Sequence, residues 1–123
     1  MSGSRPKIVA IVDDDRNLRT ALQDLLESAG LRGEVYSSAE EFIVRKGYLT
    51  SDIILSDLRM PGISGIDLLR RLREDGVDQP VIIMTSYPDV DVAETAIKQG
   101  ASAFLKKPLD SSELLSLLRA DEV

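Results

Sequence analysis

The chain has 123 residues, 43% of them apolar, and a formal charge of −6, enough to bury a core without disulfide or metal support. It contains no cysteine and no histidine, which excludes disulfide frameworks, thiolate zinc sites, a histidine general base and a phosphohistidine carrier within this chain. No apolar run approaches the length of a membrane span, the first residues lack the apolar stretch of a secretory signal, and no basic run points to nucleic acid; the expectation is a cytoplasmic protein with neither membrane nor direct nucleic-acid contact.

The elements alternate along the chain. Residues 7–12 (KIVAIV) form a short run rich in β-branched residues, which predicts a buried strand. Residues 16–29 follow with Leu18, Ala21, Leu22, Leu25 and Leu26 at helical spacing and Gly30 as the stop. Residues 34–36 predict a second strand. Residues 38–44 predict a helix with Ser38 as its N-cap. Residues 53–56 (IILS) predict a third strand ending at Asp57. The Met60-Pro61-Gly62 turn then leads to a helix over 64–73, with Ile66, Leu68, Leu69 and Leu72 as its apolar positions. Residues 81–84 (VIIM) predict a fourth strand, 90–99 a helix stopped by Gly100, and 103–106 (AFLK) a fifth strand. Asp110 opens the last helix, with Glu113 as capping-box partner and Leu114, Leu115, Leu117 and Leu118 inward. Five repeats of an apolar strand and an amphipathic helix imply an α/β domain, its parallel sheet covered on both faces. One domain is expected over 1–123, with 1–6 a flexible N-terminus and no output domain in this chain.

Ligands of open α/β sheets bind beyond the carboxyl ends of the strands. There the sequence places Asp13-Asp14-Asp15 after the first strand, Asp57 after the third, Thr85-Ser86 after the fourth and Lys107-Pro108 after the fifth. Each alone has a plain structural reading, such as a turn former, a helix cap, a strand-end hydroxyl or a solvated lysine. Together they gather carboxylates that repel one another unless a cation joins them. A hard, all-oxygen donor set favours Mg²⁺, with Mn²⁺ as a substitute, over zinc.

Four motifs then carry a resemblance over nearly the whole length: VDDD at 12–15, SDLRMPG at 56–62, MTS at 84–86 and AFLKKP at 103–108. The chain resembles the receiver domain of two-component response regulators, most like receivers that precede a DNA-binding output domain. The resemblance implies a flavodoxin-like (βα)5 fold, doubly wound, with strand order 2-1-3-4-5. It implies that Asp57 accepts a phosphoryl group, that Asp13, Asp14, Asp57 and the Arg59 backbone carbonyl hold the metal, and that Lys107 contacts the phosphoryl oxygens. It makes Thr85 and Phe104 the switch pair and the Lys107-Pro108 bond cis. Phe104 also reads as a plain core aromatic, and it lacks the hydroxyl that many relatives carry there. Arg59 and Tyr87, each two residues past a site residue, are candidate modulators of dephosphorylation.

The expected role is a phosphorylation switch fed by a histidine kinase or histidine phosphotransfer protein, since the chain has no histidine of its own. The face of the fourth helix, fifth strand and fifth helix, including Val92, Lys98 and Leu105, is the expected partner or phosphorylation-dependent homodimer surface. Two alternatives stand beside it. A phosphohydrolase of related fold often carries an acid/base Asp two residues after the nucleophile, where this chain has Arg59. A degenerate interaction module would not need the set Asp13, Asp14, Asp57, Thr85 and Lys107. The chain is therefore expected to be a regulatory domain and not an enzyme, either a stand-alone regulator or a fragment of a longer one.

Overall fold

A computed structural model describes residues 5–119. Of the expected flexible segment 1–6, residues 1–4 lie outside the described residues, and Arg5 is held by Asp52 through both guanidinium arms.

Five strands, β1 (Ile8–Val12), β2 (Arg32–Tyr36), β3 (Ile53–Asp57), β4 (Val81–Thr85) and β5 (Ala103–Lys106), form one parallel sheet in the order β2-β1-β3-β4-β5. Four helices connect them, α1 (Arg16–Ser28), α2 (Ala39–Val44), α3 (Gly65–Glu74) and α4 (Val90–Lys98), and a fifth, α5 (Ser111–Leu118), follows β5. This is the expected flavodoxin-like arrangement.

Side chains of a strand point alternately to its two faces, and the core divides accordingly. Ala10, Val12, Ile54, Val81 and Ile83 pack with Phe42, Leu68, Leu69, Leu72 and Ala96 beneath α2, α3 and α4. Val9, Ile11, Ile53, Leu55, Ile82 and Met84 pack with Leu22, Leu26, Leu114 and Leu118 beneath α1 and α5. Fully buried leucines of this kind each contribute about 1.5–3 kcal/mol. Ala21 departs from expectation: it is exposed, because the helical stripe that buries Leu22 and Leu26 leaves it on the outer side.

Each of the five α-helices starts on a side-chain cap. Asp15 accepts from Asn17 and Leu18, Ser38 from Glu41, Ser64 from Asp67, Asp89 from Asp91 and Val92, and Asp110 from Glu113. Each cap satisfies amides that the helix itself cannot, worth about 1 kcal/mol. Thus the third member of the Asp13-Asp14-Asp15 triplet is the cap of α1.

Two further features differ from the sequence expectation. β2 begins at Arg32, two residues before the predicted start, because edge pairing needs only one neighbour and tolerates Arg32 and Gly33. A 3₁₀ turn at Gly47–Leu49 follows α2 and was not foreseen.

Candidate functional site

β1, β3, β4 and β5 end on the same rim, so the residues that follow them meet. Asp13, Asp14 and Asp57 offer carboxylate oxygens that all lie within 4.8 Å of one another. Asp13 is completely buried and Asp57 nearly so, whereas Asp14 is exposed. Lys107 reaches in from the end of β5, its Nζ 2.8 Å from Asp13 Oδ2 and 3.4 Å from Asp57 Oδ1. Strand-end positions bring these residues to one rim, but the closer pairing of Lys107 with Asp13 than with Asp57 has no signal along the sequence.

Hydrogen bonds to backbone groups anchor Asp13 and Asp57. The Asp13 N–H donates to the Tyr36 carbonyl at 3.1 Å, its Oδ1 accepts from the Asp15 N–H at 2.8 Å, and its own carbonyl accepts from Arg19 Nη1 at 2.7 Å. The carbonyl of Asp57 accepts from Ser56 Oγ at 3.0 Å. A Cβ built on Gly65 would lie 2.4 Å from that same carbonyl, so the first residue of α3 must be glycine for the helix to begin here. Neither Arg19 nor Gly65 carries a signal that sequence reasoning used; both act through contacts that only the fold reveals.

Burial and the adjacent Asp13 carboxylate push the Asp57 carboxyl above the usual carboxylate range, while Lys107 and the Arg59 backbone N–H draw it part of the way back. Burial disfavours the charged form of Lys107, but its bond to Asp13 and the charges of Asp13 and Asp57 outweigh this and raise it. The rim therefore holds more negative charge than one ammonium can neutralise. Its all-oxygen donors suit a hard divalent cation such as Mg²⁺.

Thr85 is almost fully buried; its Oγ1 accepts from the Tyr87 N–H at 3.2 Å. The Lys107 N–H donates to the Thr85 carbonyl at 2.8 Å, and the Lys107–Pro108 peptide is cis. Phe104 is half-buried and packs on the α4 side of the sheet, the side that also receives Val92. Arg59 and Tyr87 are exposed. A cavity of about 580 Å³ between the 58–64 loop and α4 is lined by Leu58, Met60, Pro61, Ile66 and Val92 among others.

The expected partner face needs correction. Lys98 is exposed and Val92 half-buried, but Leu105 is buried on the opposite side of the sheet, among the residues beneath α1 and α5. Strand alternation is the reason: Phe104 takes the α4 side, so Leu105 cannot. The exposed apolar positions of α4 are instead Val90 and Ile97.

A family model described as the response regulator receiver domain matches residues 9–119. The chain is 42% identical over 112 residues to the transcriptional regulatory protein FixJ of Azorhizobium caulinodans, covering 91% of this chain and 53% of that protein. It is 40% identical over 111 residues to the DNA-binding transcriptional regulator NtrC of Salmonella typhimurium, covering 90% of this chain and 24% of that one. It therefore spans about half the length of the first relative and about a quarter of the second. A crystal structure of a response regulator receiver protein from Pseudomonas putida superposes with a TM-score of 0.86 at 30% identity, covering 96% of this chain and 99% of the other. Among the described residues no helix is long and apolar enough to cross a membrane.

Proposed function

Because the chain belongs to the response regulator receiver family of two-component signalling, we propose that it stores a signal as an aspartyl-phosphate on Asp57. The observation that carries this reading is the convergence of the Asp13, Asp14 and Asp57 carboxylates with the Lys107 ammonium at one rim.

In this reading an Asp57 carboxylate oxygen bonds to phosphorus as the P–N bond of a donor phosphohistidine breaks. The electron pair passes to the donor imidazole, which then takes up a proton. Such transfers need positioning and neutralisation of spread negative charge more than covalent help. Asp13, Asp14, Asp57 and the Arg59 carbonyl would hold Mg²⁺, or Mn²⁺ in its place, which supplies positive charge to the phosphoryl oxygens when bound. Lys107 turns from Asp13 toward those oxygens. Thr85 Oγ1 gives up the Tyr87 amide to donate to one of them, and Phe104 moves within the space beneath α4. A phosphoryl group adds up to about two negative charges and three strong acceptors, enough to bias a two-state element of this kind.

A receiver is a regulatory domain, and Arg59 rather than an acid stands two residues after Asp57, which disfavours turnover of a small substrate. The donor is a histidine kinase or histidine phosphotransfer protein. The output, as with FixJ and NtrC by their names, is control of transcription. The setting is the cytoplasm. The α4–β5–α5 face serves the partner or a phosphorylation-dependent second copy, with Val90 and Ile97 exposed there. Arg59 and Tyr87 border the path of water to the phosphoryl group and tune its lifetime.

The test is incubation with Mg²⁺ and acetyl phosphate followed by intact-mass measurement. One phosphoryl adduct is expected on the wild type and none on Asp57→Asn. A stable adduct of equal yield on Asp57→Asn would overturn the assignment.

A further inference from the structure

The loop 58–64 joins β3 to α3 and carries the Arg59 carbonyl. Its base is closed by two backbone bonds, Leu58 N–H to the Met84 carbonyl at 2.8 Å and Gly65 N–H to the Leu58 carbonyl at 2.9 Å. Its far side is met by a side chain from a different element. Glu40, in the first turn of α2, accepts the Ile63 N–H on Oε2 at 3.0 Å. The same oxygen lies 2.1 Å from where a Cβ on Gly62 would stand, and Gly62 has a φ of +81°. Only glycine gives the loop both that backbone turn and room for the carboxylate.

An exposed glutamate in a first helical turn usually does no more than favour the helix dipole. Glu40 does something else: it reaches a backbone amide in a loop 23 residues away in sequence. Its own backbone is well anchored. Ala39 and Phe42 on either side are completely buried, and Ser38 caps the helix. The next residue, Glu41, makes the matching contact on the other flank, its Oε1 accepting from the Ser37 N–H at 2.6 Å and Oγ at 3.0 Å. Ser37 follows Tyr36, whose carbonyl holds the Asp13 amide. Two consecutive glutamates thus tie the first turn of α2 to the 58–64 loop on one flank and to the end of β2 on the other.

We infer that Glu40 is a positioning residue, which fixes the 58–64 loop so that the Arg59 carbonyl faces the cation held by Asp13, Asp14 and Asp57. The inference rests on the metal site proposed above. Residues that orient a ligand from behind affect affinity as well as order. Glu40 acts on a backbone ligand four residues from its own contact, so the effect is smaller than that of a direct orienting bond.

The experiment titrates Mg²⁺ alone into ¹⁵N-labelled protein and follows the Arg59 and Ile63 amides, with hydrogen exchange of Ile63 measured before metal is added. Glu40→Ala should weaken Mg²⁺ binding about three- to ten-fold and speed Ile63 exchange. Glu40→Gln keeps an oxygen that accepts the same N–H, so it should stay within about two-fold of the wild type. Equal Mg²⁺ affinity or equal Ile63 exchange in wild type and Glu40→Ala overturns the inference. So does a Glu40→Gln as weak as Glu40→Ala, which would assign the effect to charge rather than to the held loop. A wild type that binds no Mg²⁺ removes the metal site itself, a failure distinct from one seen only in the Glu40 variants.

Discussion

The two ends of the sheet each set aspartate against a cation, with opposite results. At the amino ends of the strands, Asp52 accepts the Ile8 N–H at 2.7 Å and both arms of Arg5 at 2.7 and 2.9 Å. The bond from Arg5, helped by the Ile8 amide, holds its carboxyl below the usual range. At the carboxyl ends, the Asp13, Asp14 and Asp57 carboxylates crowd together, Lys107 pairs with two of them, Asp13 and Asp57, and burial together with Asp13 pushes Asp57 up. A carboxylate with its partners complete serves the fold. Carboxylates short of positive charge leave the fold in debt to an incoming cation, and such unresolved sites are where function is found.

The largest test of this contrast is Lys107→Ala. It leaves Asp13 completely buried without its ammonium, and breaking such a pair costs about 3 kcal/mol. Urea unfolding without metal should show that loss, and millimolar Mg²⁺ should restore a large part of it by binding the folded state. A Lys107→Ala protein as stable as wild type without metal would break the comparison.

Acidity separates the two ends next. Asp57 is raised in the folded state, so its contribution to stability is full below the ordinary carboxylate value of about 3.9 and is lost as pH rises through its raised value. Asp57→Asn should therefore gain on the metal-free wild type as pH climbs from the acid limb toward neutrality, measured by unfolding at a series of pH values. A constant difference across that range would contradict the strain assigned to the rim.

Asp52 has the opposite sign. Its contribution is present above about 3.9 and is lost as pH falls through its lowered value. Arg5→Ala should flatten the acid limb only, by the smallest amount of the three, and the difference should shrink with added salt because Arg5 is solvent-exposed. Mg²⁺ should leave it unchanged.

Much of this was legible before any coordinates. The strands at 8–12, 53–57 and 81–85 are covered on both faces, so the apolar cores of the runs read at 7–12, 53–56 and 81–84 show as short unbroken stretches. The caps Ser38 and Asp110 were readable from local chemistry alone. β2 was half-missed because an edge strand beginning Arg32-Gly33 has no apolar run to announce it. Leu105 was misplaced because periodicity shows that a strand alternates but not which phase faces which helix layer. Strand-end arithmetic brought Asp13, Asp14, Asp57, Thr85 and Lys107 to one rim. The Lys107–Asp13 pair, the Arg19 bond and the Glu40 contact depend on where side chains turn in space, which spacing along the chain does not encode.

The bond from the Gly65 amide to the Leu58 carbonyl makes the stretch between them a closed ring rather than an open strap. With Gly65 pressed against the Asp57 carbonyl, that ring has no slack at its clasp. A tug at any bead is shared by all the others. Disturbance at Ile63, half-buried against the core, would thereby reach Arg59, two residues past Asp57, with no helix needing to shift. The loop is a handle on the chemistry that a partner could grip from outside.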